Sequence, residues 1–343
     1  MTKRTLRLEA YLELGNALRR RVLAEESPEQ IHAWLLRQLK LLAGGDEDAK
    51  LTWEQSFELY EEIMQERAER AALPESERHI LTWPWKTWSN LIDTFDPGVL
   101  AVLSAADGAG KTLYAENLAE HWAKEGMHVV FIHFELNRAL MLDRRMARQS
   151  GILRRDLKAG TLTEYQERQR RQANDRLREW PGSITYVHTP GWTMERVMGE
   201  VGSLVANDIC DVFIVDYLEK AAPSNHQLKS LGTNIFAREA DNVEIVKRNA
   251  EMLERPAFLL AQLNKFGKQQ SFDSLDRSSI RGAGEKTERA NIVILLHRES
   301  SDERVVKVRV DKNTMGPCGT FEQIMRGERF SVGDVAQDAP LEL

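Results

Sequence analysis

The stretch that decides the fold runs from residue 105 to residue 112 and reads Ala105-Ala106-Asp107-Gly108-Ala109-Gly110-Lys111-Thr112. An apolar run precedes it and a helical pattern follows it, and Ala105 stands where such loops usually have their first glycine. Glycines between a strand and a helix let backbone N–H groups face a phosphate, and the helix N-terminus adds positive charge. We therefore predict a nucleotide-binding loop over Ala106–Thr112, in which Lys111 reaches the β- and γ-phosphates and Thr112 contacts Mg²⁺. ATP and Mg²⁺ are the expected ligands.

Three other apolar runs also end in a polar side chain that suits nucleotide chemistry. Asp216 is expected to hold Mg²⁺, Glu135 to orient and activate the attacking water, and Gln262 to contact the γ-phosphate or that water. Glu135 and Gln262 also fit ordinary polar residues at strand ends. The prediction requires the strands that deliver the glycine-rich loop and Asp216 to be neighbours.

The chain after residue 98 alternates short β-rich runs with helical patterns, which predicts an α/β fold with a largely parallel sheet. The expected strands are Val99–Leu103, His128–His133, Ile184–Val187, Val212–Val215, Ala257–Ala261, Ile292–His297 and Val305–Val310. The expected helices are Thr112–Glu125, Arg138–Ser150, Thr163–Arg178 and Asn234–Leu253.

The N-terminal part is expected to be a small all-α region. Residues 5–43 have a helical pattern, and a further helix is expected from Thr52, with a capping box to Gln55, to a point before Pro74. Its apolar face comprises Phe57, Tyr60, Ile63 and Met64. We expect this face either to dock on a neighbouring subunit or to pack on its own domain. We predict three parts: a helical region over residues 1–50, a connector over 51–80 and an ATPase motor domain over 81–343. Trp83, Trp85 and Trp88 are expected to pack where the core begins.

Composition limits the classes of protein that the chain fits. The net charge is −6, and most of the excess acid lies before residue 98, so nucleic-acid binding requires a local basic lining. The two cysteines, Cys210 and Cys318, have no metal-ligand spacing. No run is long and apolar enough to span a membrane and no signal peptide is recognisable, so we expect a cytoplasmic protein without a membrane partner.

Taken together, these motifs resemble the motor domain of DnaB-type replicative helicases over residues 80–332. The resemblance includes the loop and the three strand ends above, and also Ser150-Gly151-Ile152, Ile280-Arg281-Gly282-Ala283-Gly284, Leu295-Leu296-His297-Arg298-Glu299 and the segment Lys312–Gly319. It implies a RecA-like ATPase core that assembles as a homo-oligomer, a ring of six, with ATP at each subunit interface. A replication protein is a candidate partner.

The resemblance also implies that a channel loop grips the backbone of single-stranded DNA. The stretch Asn264–Glu288 is the candidate, and Lys265, Lys268, Arg277 and Arg281 are the expected DNA-binding residues, with Lys286 behind them. The alternative is a solvated loop whose cations have no nucleic-acid role.

One position departs from the family pattern. The family's Lys-x-Arg element supplies a lysine and an arginine finger to the neighbouring subunit's γ-phosphate; here Lys312 is retained as a candidate catalytic residue, but Thr314 holds the arginine position. Such a finger contributes roughly 10³–10⁵ in rate. Either another cation such as Arg309 substitutes, or hydrolysis is slow, or a partner completes the site.

Three functions remain open from the sequence. The first is an ATP-driven, ring-forming 5′-to-3′ DNA helicase that acts in DNA replication. The second is a DnaB-like ATPase that does not unwind DNA and acts as an assembly or regulatory factor. The third, which the segments Leu296–Glu299 and Gly316–Gly319 oppose, is a recombination ATPase of the RecA family.

Overall fold

The computed structural model describes residues 18, 31, 32, 35, 52–73, 78, 80–135, 138–281, 287–300 and 302–335. The helices expected over residues 5–43 therefore lie outside the described residues, apart from four isolated positions. Leu136, Lys286 and the segment Gly282–Gly284 lie outside them as well. The chain divides into two units, Met1–Pro74 and Glu75–Leu343.

Helix α1, Trp53–Ala72, is the described element of the first unit. The predicted capping box is confirmed, because the Thr52 N–H donates to Gln55 Oε1 at 2.9 Å and the Gln55 N–H donates to Thr52 Oγ1 at 3.2 Å. These two bonds satisfy amide groups that the first turn of a helix leaves without a partner. Phe57 and Tyr60, on the predicted apolar face, are each 55% exposed.

Nine strands of the second unit form one sheet among the described residues. Their order is β3-β2-β4-β5-β1-β6-β7-β8-β9, parallel from β3 to β6 and antiparallel from β6 to β9. The seven predicted strands are confirmed, and β8 and β9 are additional. The strands are β1 Leu100–Ala105, β2 His128–His133, β3 Ser183–His188, β4 Val212–Asp216, β5 Ala257–Gln262, β6 Ile292–His297, β7 Val305–Asn313, β8 Gly319–Arg326 and β9 Ser331–Asp334.

Helices cover both faces of this sheet. The four predicted helices are confirmed to within one residue at each end, and three further helices lie between them. The helices of this unit are α2 Lys86–Ser89, α3 Lys111–Lys124, α4 Arg138–Ser150, α5 Arg154–Ala159, α6 Glu164–Arg178, α7 Met194–Ala206, α8 Asn225–Ser230 and α9 Ile235–Met252. Among the described residues, no helix is long and apolar enough to cross a membrane.

Alternate residues of each parallel strand enter two separate cores. Ala101 and Leu103 pack on the α3 side, whereas Leu100 and Val102 pack on the side of α7 and α9. This division follows from the period of two in a strand, which sends successive side chains to opposite faces. Burial on both faces explains why these strands read as continuous apolar runs.

The tryptophans before β1 pack into the core as predicted. Trp83, Trp85 and Trp88 are at most 5% exposed, and each indole N–H donates a hydrogen bond. Trp88 donates to Gln323 on β8 at 3.0 Å, and the ring centroid of Trp85 lies 5.2 Å from that of Tyr114 on α3. The cluster therefore joins the segment before the sheet to α3 and to the antiparallel strands.

A buried ion-pair cluster fixes α4 against α3. Arg148 on α4 pairs with Glu120 at 2.6 Å and Glu116 at 3.2 Å, and Arg144 pairs with Glu116 at 3.4 Å. Burial raises the pKa of Glu116, and the two arginines act in the opposite direction. Removing one partner from such a cluster leaves a buried charge without compensation, which is strongly destabilising.

Candidate active site

Four polar segments converge at the carboxyl ends of consecutive strands. The sheet order places β2, β4, β5 and β1 side by side, so that Glu135, Asp216, Gln262 and the loop after Ala105 lie along one edge. Ligands of open α/β sheets bind outside the carboxyl ends of the strands. The expectation that the loop and Asp216 come from neighbouring strands is wrong, because β5 lies between β1 and β4. The two segments nevertheless touch, because Thr112 on α3 reaches the end of β4.

Two glycines give the loop a backbone that other residues rarely adopt. Gly108 has a φ of 76° and Gly110 a φ of 105°, both in the left-handed region. At Gly110 a Cβ atom would also lie 2.8 Å from the sulfur of Met325 on β8. The loop conformation therefore depends on glycine at residue 110 chiefly because of its left-handed backbone, since the flexible Met325 side chain can move away from a Cβ atom.

The ammonium group of Lys111 folds over the loop. It donates to the carbonyl oxygens of Ala105 at 2.9 Å and Ala106 at 3.2 Å. Burial lowers the pKa of Lys111, and the nearby carboxylates of Asp107, Glu219 and Asp216 act in the opposite direction. A mostly buried cation beside amide groups is well placed to interact with a phosphate.

Thr112 and Asp216 form the contact on which a metal site depends. The Thr112 hydroxyl donates to Asp216 Oδ2 at 2.8 Å, and Asp216 is 5% exposed. Burial raises the pKa of Asp216 to about 7, and the hydrogen bond from Thr112 acts in the opposite direction. A hydroxyl and a carboxylate at this separation fit Mg²⁺, which prefers oxygen ligands and takes few of them from protein. No group of three potential metal-ligating side chains occurs in the described part of the chain.

Glu135 lies beside Asp216 at the end of β2. The Phe134 N–H donates to the Asp216 carbonyl at 3.2 Å, so the backbones of the two strand ends remain joined. Glu135 Oε1 accepts from the Tyr217 hydroxyl at 3.1 Å and is ion-paired with Lys220. The carboxylate is therefore held in place but remains 47% exposed to solvent. Sequence reasoning missed Lys220, although it stands four residues after Asp216.

Gln262 is connected to its surroundings through its backbone. Its N–H donates to Glu219 Oε1 at 3.1 Å, and its carbonyl accepts from the Arg281 N–H at 2.9 Å. The register places it opposite Ala105, directly before the glycine-rich loop. A shift of the Gln262 backbone can therefore move both the glycine-rich loop and the segment that ends at Arg281.

Three of the four candidate DNA-binding cations are paired with acidic side chains from different segments. Arg277 pairs with Asp311 at 3.4 Å and Arg281 with Glu239 at 3.1 Å, whereas Lys265 is exposed. Lys268 pairs with Asp107 in the glycine-rich loop, with 2.5 Å between Nζ and Oδ2. The segment is not an irregular loop throughout, because it contains the short 3₁₀ turns Gly267–Gln269, Phe272–Ser274 and Arg277–Ser279.

The segment around Lys312 lies at the opposite end of the sheet. Lys312 pairs in register with Val293 near the start of β6, whereas Leu296 near the end of β6 lies opposite Ala105. The Lys312 ammonium donates to the carbonyls of Thr287 at 2.8 Å and Glu288 at 2.9 Å. The structure therefore does not bring Lys312 together with Lys111 within one chain.

Thr314 and Arg309 differ in exposure, although the Thr314 hydroxyl accepts a hydrogen bond from Asn291 Nδ2 at 3.5 Å. Thr314 is exposed, and its N–H donates to the Asn291 carbonyl at 3.0 Å. Arg309 is half-buried, donates to the carbonyls of Leu275 and Phe272, and lies 4.9 Å from the Phe272 ring centroid. Arg309 is thus committed to holding the segment after Gln262, which argues against the hypothesis that it replaces an arginine finger.

A cleft of about 540 Å³ lies close to the glycine-rich loop, although no residue of the loop lines it. Arg298 connects the two, because it donates to the Gly108 carbonyl at 3.0 Å and to the Glu303 carbonyl at 2.6 Å. The walls carry charges of both signs, from four arginines and three acidic residues: Arg298, Arg304, Arg326, Arg329, Asp302, Glu303 and Glu328. Arg298 belongs to a motif of the sequence resemblance, whereas no motif marks the other residues of the cleft, which follow it along the chain.

The chain matches a known family over most of its length. Residues 84–331 match the model of the family described as DnaB-like helicase C terminal domain. The chain is 24% identical to the replicative DNA helicase DnaB of Leifsonia xyli, over 72% of this chain and 54% of that protein. It is 23% identical to a probable plasmid replicative DNA helicase of Chlamydia trachomatis, over 64% of this chain and 47% of that protein. The chain thus spans about half the length of these relatives.

Solved structures show the same fold. A solved ATPase domain superposes with a TM-score of 0.68 at 18% identity, covering 82% of this chain and 98% of that one. A DnaB-like replicative helicase, described with its interactions with primase, gives a TM-score of 0.67 at 17% identity, covering 97% of this chain and 77% of that one. These likenesses confirm the expected RecA-like fold.

Proposed function

The chain belongs to the DnaB-like helicase C-terminal domain family, and from that premise we propose that it is an ATP-hydrolysing, ring-forming helicase that moves along single-stranded DNA during replication in the cytoplasm. The observation that carries the proposal is the 2.8 Å hydrogen bond between Thr112 and Asp216, directly beside the Lys111 ammonium. This contact joins the residues of a phosphate-binding loop to those of a magnesium site.

Nucleotide binding would use the loop Ala106–Thr112. Backbone amides and the N-terminus of α3 would face the phosphates, and Lys111 would exchange its two carbonyl acceptors for phosphate oxygens. Thr112 and Asp216 would hold Mg²⁺, which supplies positive charge where the leaving phosphate develops negative charge. The neighbouring cleft, lined by arginines and acidic residues, has a volume of about 540 Å³, which is the size of a site for a small ligand.

Hydrolysis would depend on Glu135 and Gln262. Glu135 would accept a proton from the attacking water or orient it, and its contacts with Tyr217 and Lys220 fix the direction of the carboxylate. Gln262 would contact the γ-phosphate or the water. Its backbone bond to Arg281 would pass the nucleotide state to the candidate channel segment.

We propose assembly as a homo-oligomeric ring of six, and the position of Lys312 supports the part of this proposal that requires action between copies. This lysine lies at the end of the sheet opposite the glycine-rich loop, so it would serve the nucleotide of a neighbouring copy. DNA would contact the segment after Gln262 through Lys265, Lys268, Arg277 and Arg281. A replication protein is a candidate partner of such a ring.

The deciding experiment measures ATP turnover with and without single-stranded DNA, alongside the mass of the ATP-bound assembly. We expect DNA to raise turnover and the mass to correspond to a ring. Lys158→Ala is a matched control, because it removes an exposed lysine on α5 away from the four strand ends. An ATPase rate that no nucleic acid changes, together with a monomeric mass, would refute the proposal.

A second candidate function follows from Thr314 and Arg309. Threonine cannot supply the positive charge of an arginine finger, and Arg309 is held by Leu275 and Phe272. A DnaB-like ATPase without unwinding activity, acting as an assembly or regulatory factor, fits this combination. Strand displacement on a forked duplex distinguishes the two: the helicase separates the strands, whereas the regulatory ATPase turns over ATP and leaves the duplex intact.

A further inference from the structure

The glycine-rich loop carries an acidic side chain that a phosphate-binding loop does not need. Asp107 precedes Lys111 by four residues and is 63% exposed. Like charges a few ångströms apart repel each other, and a triphosphate bound in this loop would bring several negative charges close to Asp107. The carboxylate therefore opposes nucleotide binding unless a cation compensates for it.

The compensating cation comes from the segment after Gln262. Lys268 Nζ lies 2.5 Å from Asp107 Oδ2, and the Lys268 side chain is 33% exposed. The hydrogen bond from Lys268 lowers the pKa of Asp107, which keeps the carboxylate charged. The two residues are 161 positions apart in sequence, so the pair depends on the tertiary placement of the segment.

Lys268 is positioned by a segment that folds as a unit. The Asn264 N–H donates to the Ser279 carbonyl at 2.8 Å, and the Gly267 N–H donates to Asn264 Oδ1 at 2.7 Å. A Cβ atom on Gly267 would lie 2.6 Å from the Ser279 carbonyl oxygen, so the two ends of the segment are closely packed. Movement of residues 264–281 would therefore carry Lys268 with it.

We propose that Lys268 is a positioning residue that neutralises Asp107, so that the loop binds a nucleoside triphosphate tightly only while the segment 264–281 is docked against it. The inference rests on the proposed nucleotide site. Coupling between two sites is reciprocal, so bound nucleotide also favours the docked segment. A ligand that draws residues 264–281 away would expose the Asp107 charge and weaken nucleotide binding.

The test is a double-mutant cycle on the full chain, read out by calorimetric titration with Mg²⁺ and a non-hydrolysable ATP analogue. We expect Lys268→Ala to weaken the analogue by about five- to tenfold, in line with the modest size of exposed charge interactions. Asp107→Asn should bind at least as tightly as the wild type. The double variant should match Asp107→Asn, because without the Asp107 carboxylate nothing holds the Lys268 ammonium at the loop.

Two controls separate this coupling from a structural role. Lys268→Arg keeps the charge and should retain affinity, and Lys158→Ala removes an exposed lysine elsewhere and should have no effect on affinity. Raising the ionic strength should reduce the penalty of Lys268→Ala, because salt screens exposed charges. Melting temperatures of all variants show whether each one folds.

Two results would overturn the inference. If the double variant binds as weakly as Lys268→Ala, then Lys268 contacts the phosphates itself and does not act through Asp107. If Lys268→Ala binds like the wild type at low salt, the pair has no influence on affinity. A wild type that binds no nucleotide, and that Lys111→Ala leaves unchanged, would refute the proposed function together with this inference.

Discussion

The two ends of the sheet differ in whether one chain supplies all the residues that are expected to act there. At the carboxyl ends of the parallel strands, which we call the finished end, Lys111, Thr112 and Asp216 lie together and their polar groups have partners within the chain. At the other end, Lys312 donates to carbonyls of the preceding segment, and Thr314 presents an exposed hydroxyl side chain. This incomplete end has only one cation of the expected pair.

This difference indicates which steps a single chain can perform. Binding of a nucleotide would depend on the end where all contributing residues belong to one copy. Acceleration of hydrolysis would depend on charge that a second copy or a partner must bring to the phosphate. The proposed chemistry is thus divided between binding within a chain and activation between chains, and the following variants test that division.

The largest effect is expected at the finished end. Lys111→Ala removes the ammonium that would neutralise the phosphates, and we expect ATP turnover to fall by at least about 100-fold. Steady-state phosphate release measures it, with Lys158→Ala as the control for loss of an exposed lysine. Turnover that survives the Lys111 substitution would remove the basis for assigning this end to the nucleotide.

The next effect is expected at the incomplete end. Thr314→Arg restores the missing charge, and we expect turnover to rise by about tenfold or more, below the roughly 10³–10⁵ of a fully optimised finger. The gain should depend on protein concentration, because the residue acts on a neighbouring copy. Thr314→Ala is the matched control and should change little. A gain that persists in the monomer would contradict the division between chains.

A backbone change at the finished end should act on binding. Gly110→Ala forces alanine into a left-handed backbone and places its Cβ against Met325, and we expect nucleotide affinity to fall by about tenfold. The matched control is Gly202→Ala in α7, where the nearest contact, 3.9 Å to Leu253, leaves space. Calorimetric titration compares the two. Equal affinities would mean that the loop tolerates a side chain at residue 110.

The smallest effect on turnover is expected from Arg309→Ala. Because this arginine holds the carbonyls of Leu275 and Phe272, we expect a loss of about 1–3 kcal/mol in the free energy of unfolding and a change in kcat of about twofold. Denaturant unfolding and phosphate release are the two measurements. A collapse of kcat without loss of stability would instead identify Arg309 as the substitute finger.

The parallel part of the sheet was predictable because each strand is buried on both faces and therefore reads as an apolar run. Strand β8 has no such signal. It is half-exposed, and one of its two buried positions is the polar Gln323, which accepts the hydrogen bond from Trp88. A polar residue at an inward position hides the alternation by which an antiparallel strand is recognised.

The candidate site shows the same limit. Lys111, Thr112 and Asp216 belong to local motifs, so their roles could be predicted, and the structure brings them together. The pair of Lys268 with Asp107 could not be predicted, because it joins segments that are distant in sequence. Sequence patterns identify residues whose role is set by adjacent residues in the chain. They do not show which charged residues from distant parts of the chain form ion pairs.

The aromatic cluster gives the protein a built-in optical signal. The rings of Trp85 and Trp88 lie 5.2 Å and 6.0 Å from Tyr114, whose N–H donates to the Gly110 carbonyl at the start of α3. These two of the chain's eight tryptophans therefore contact a ring that stands one helical turn from the glycine-rich loop, and their ultraviolet fluorescence reports on that ring's surroundings. Changes in its intensity would allow events at that loop to be followed in real time without attaching a dye.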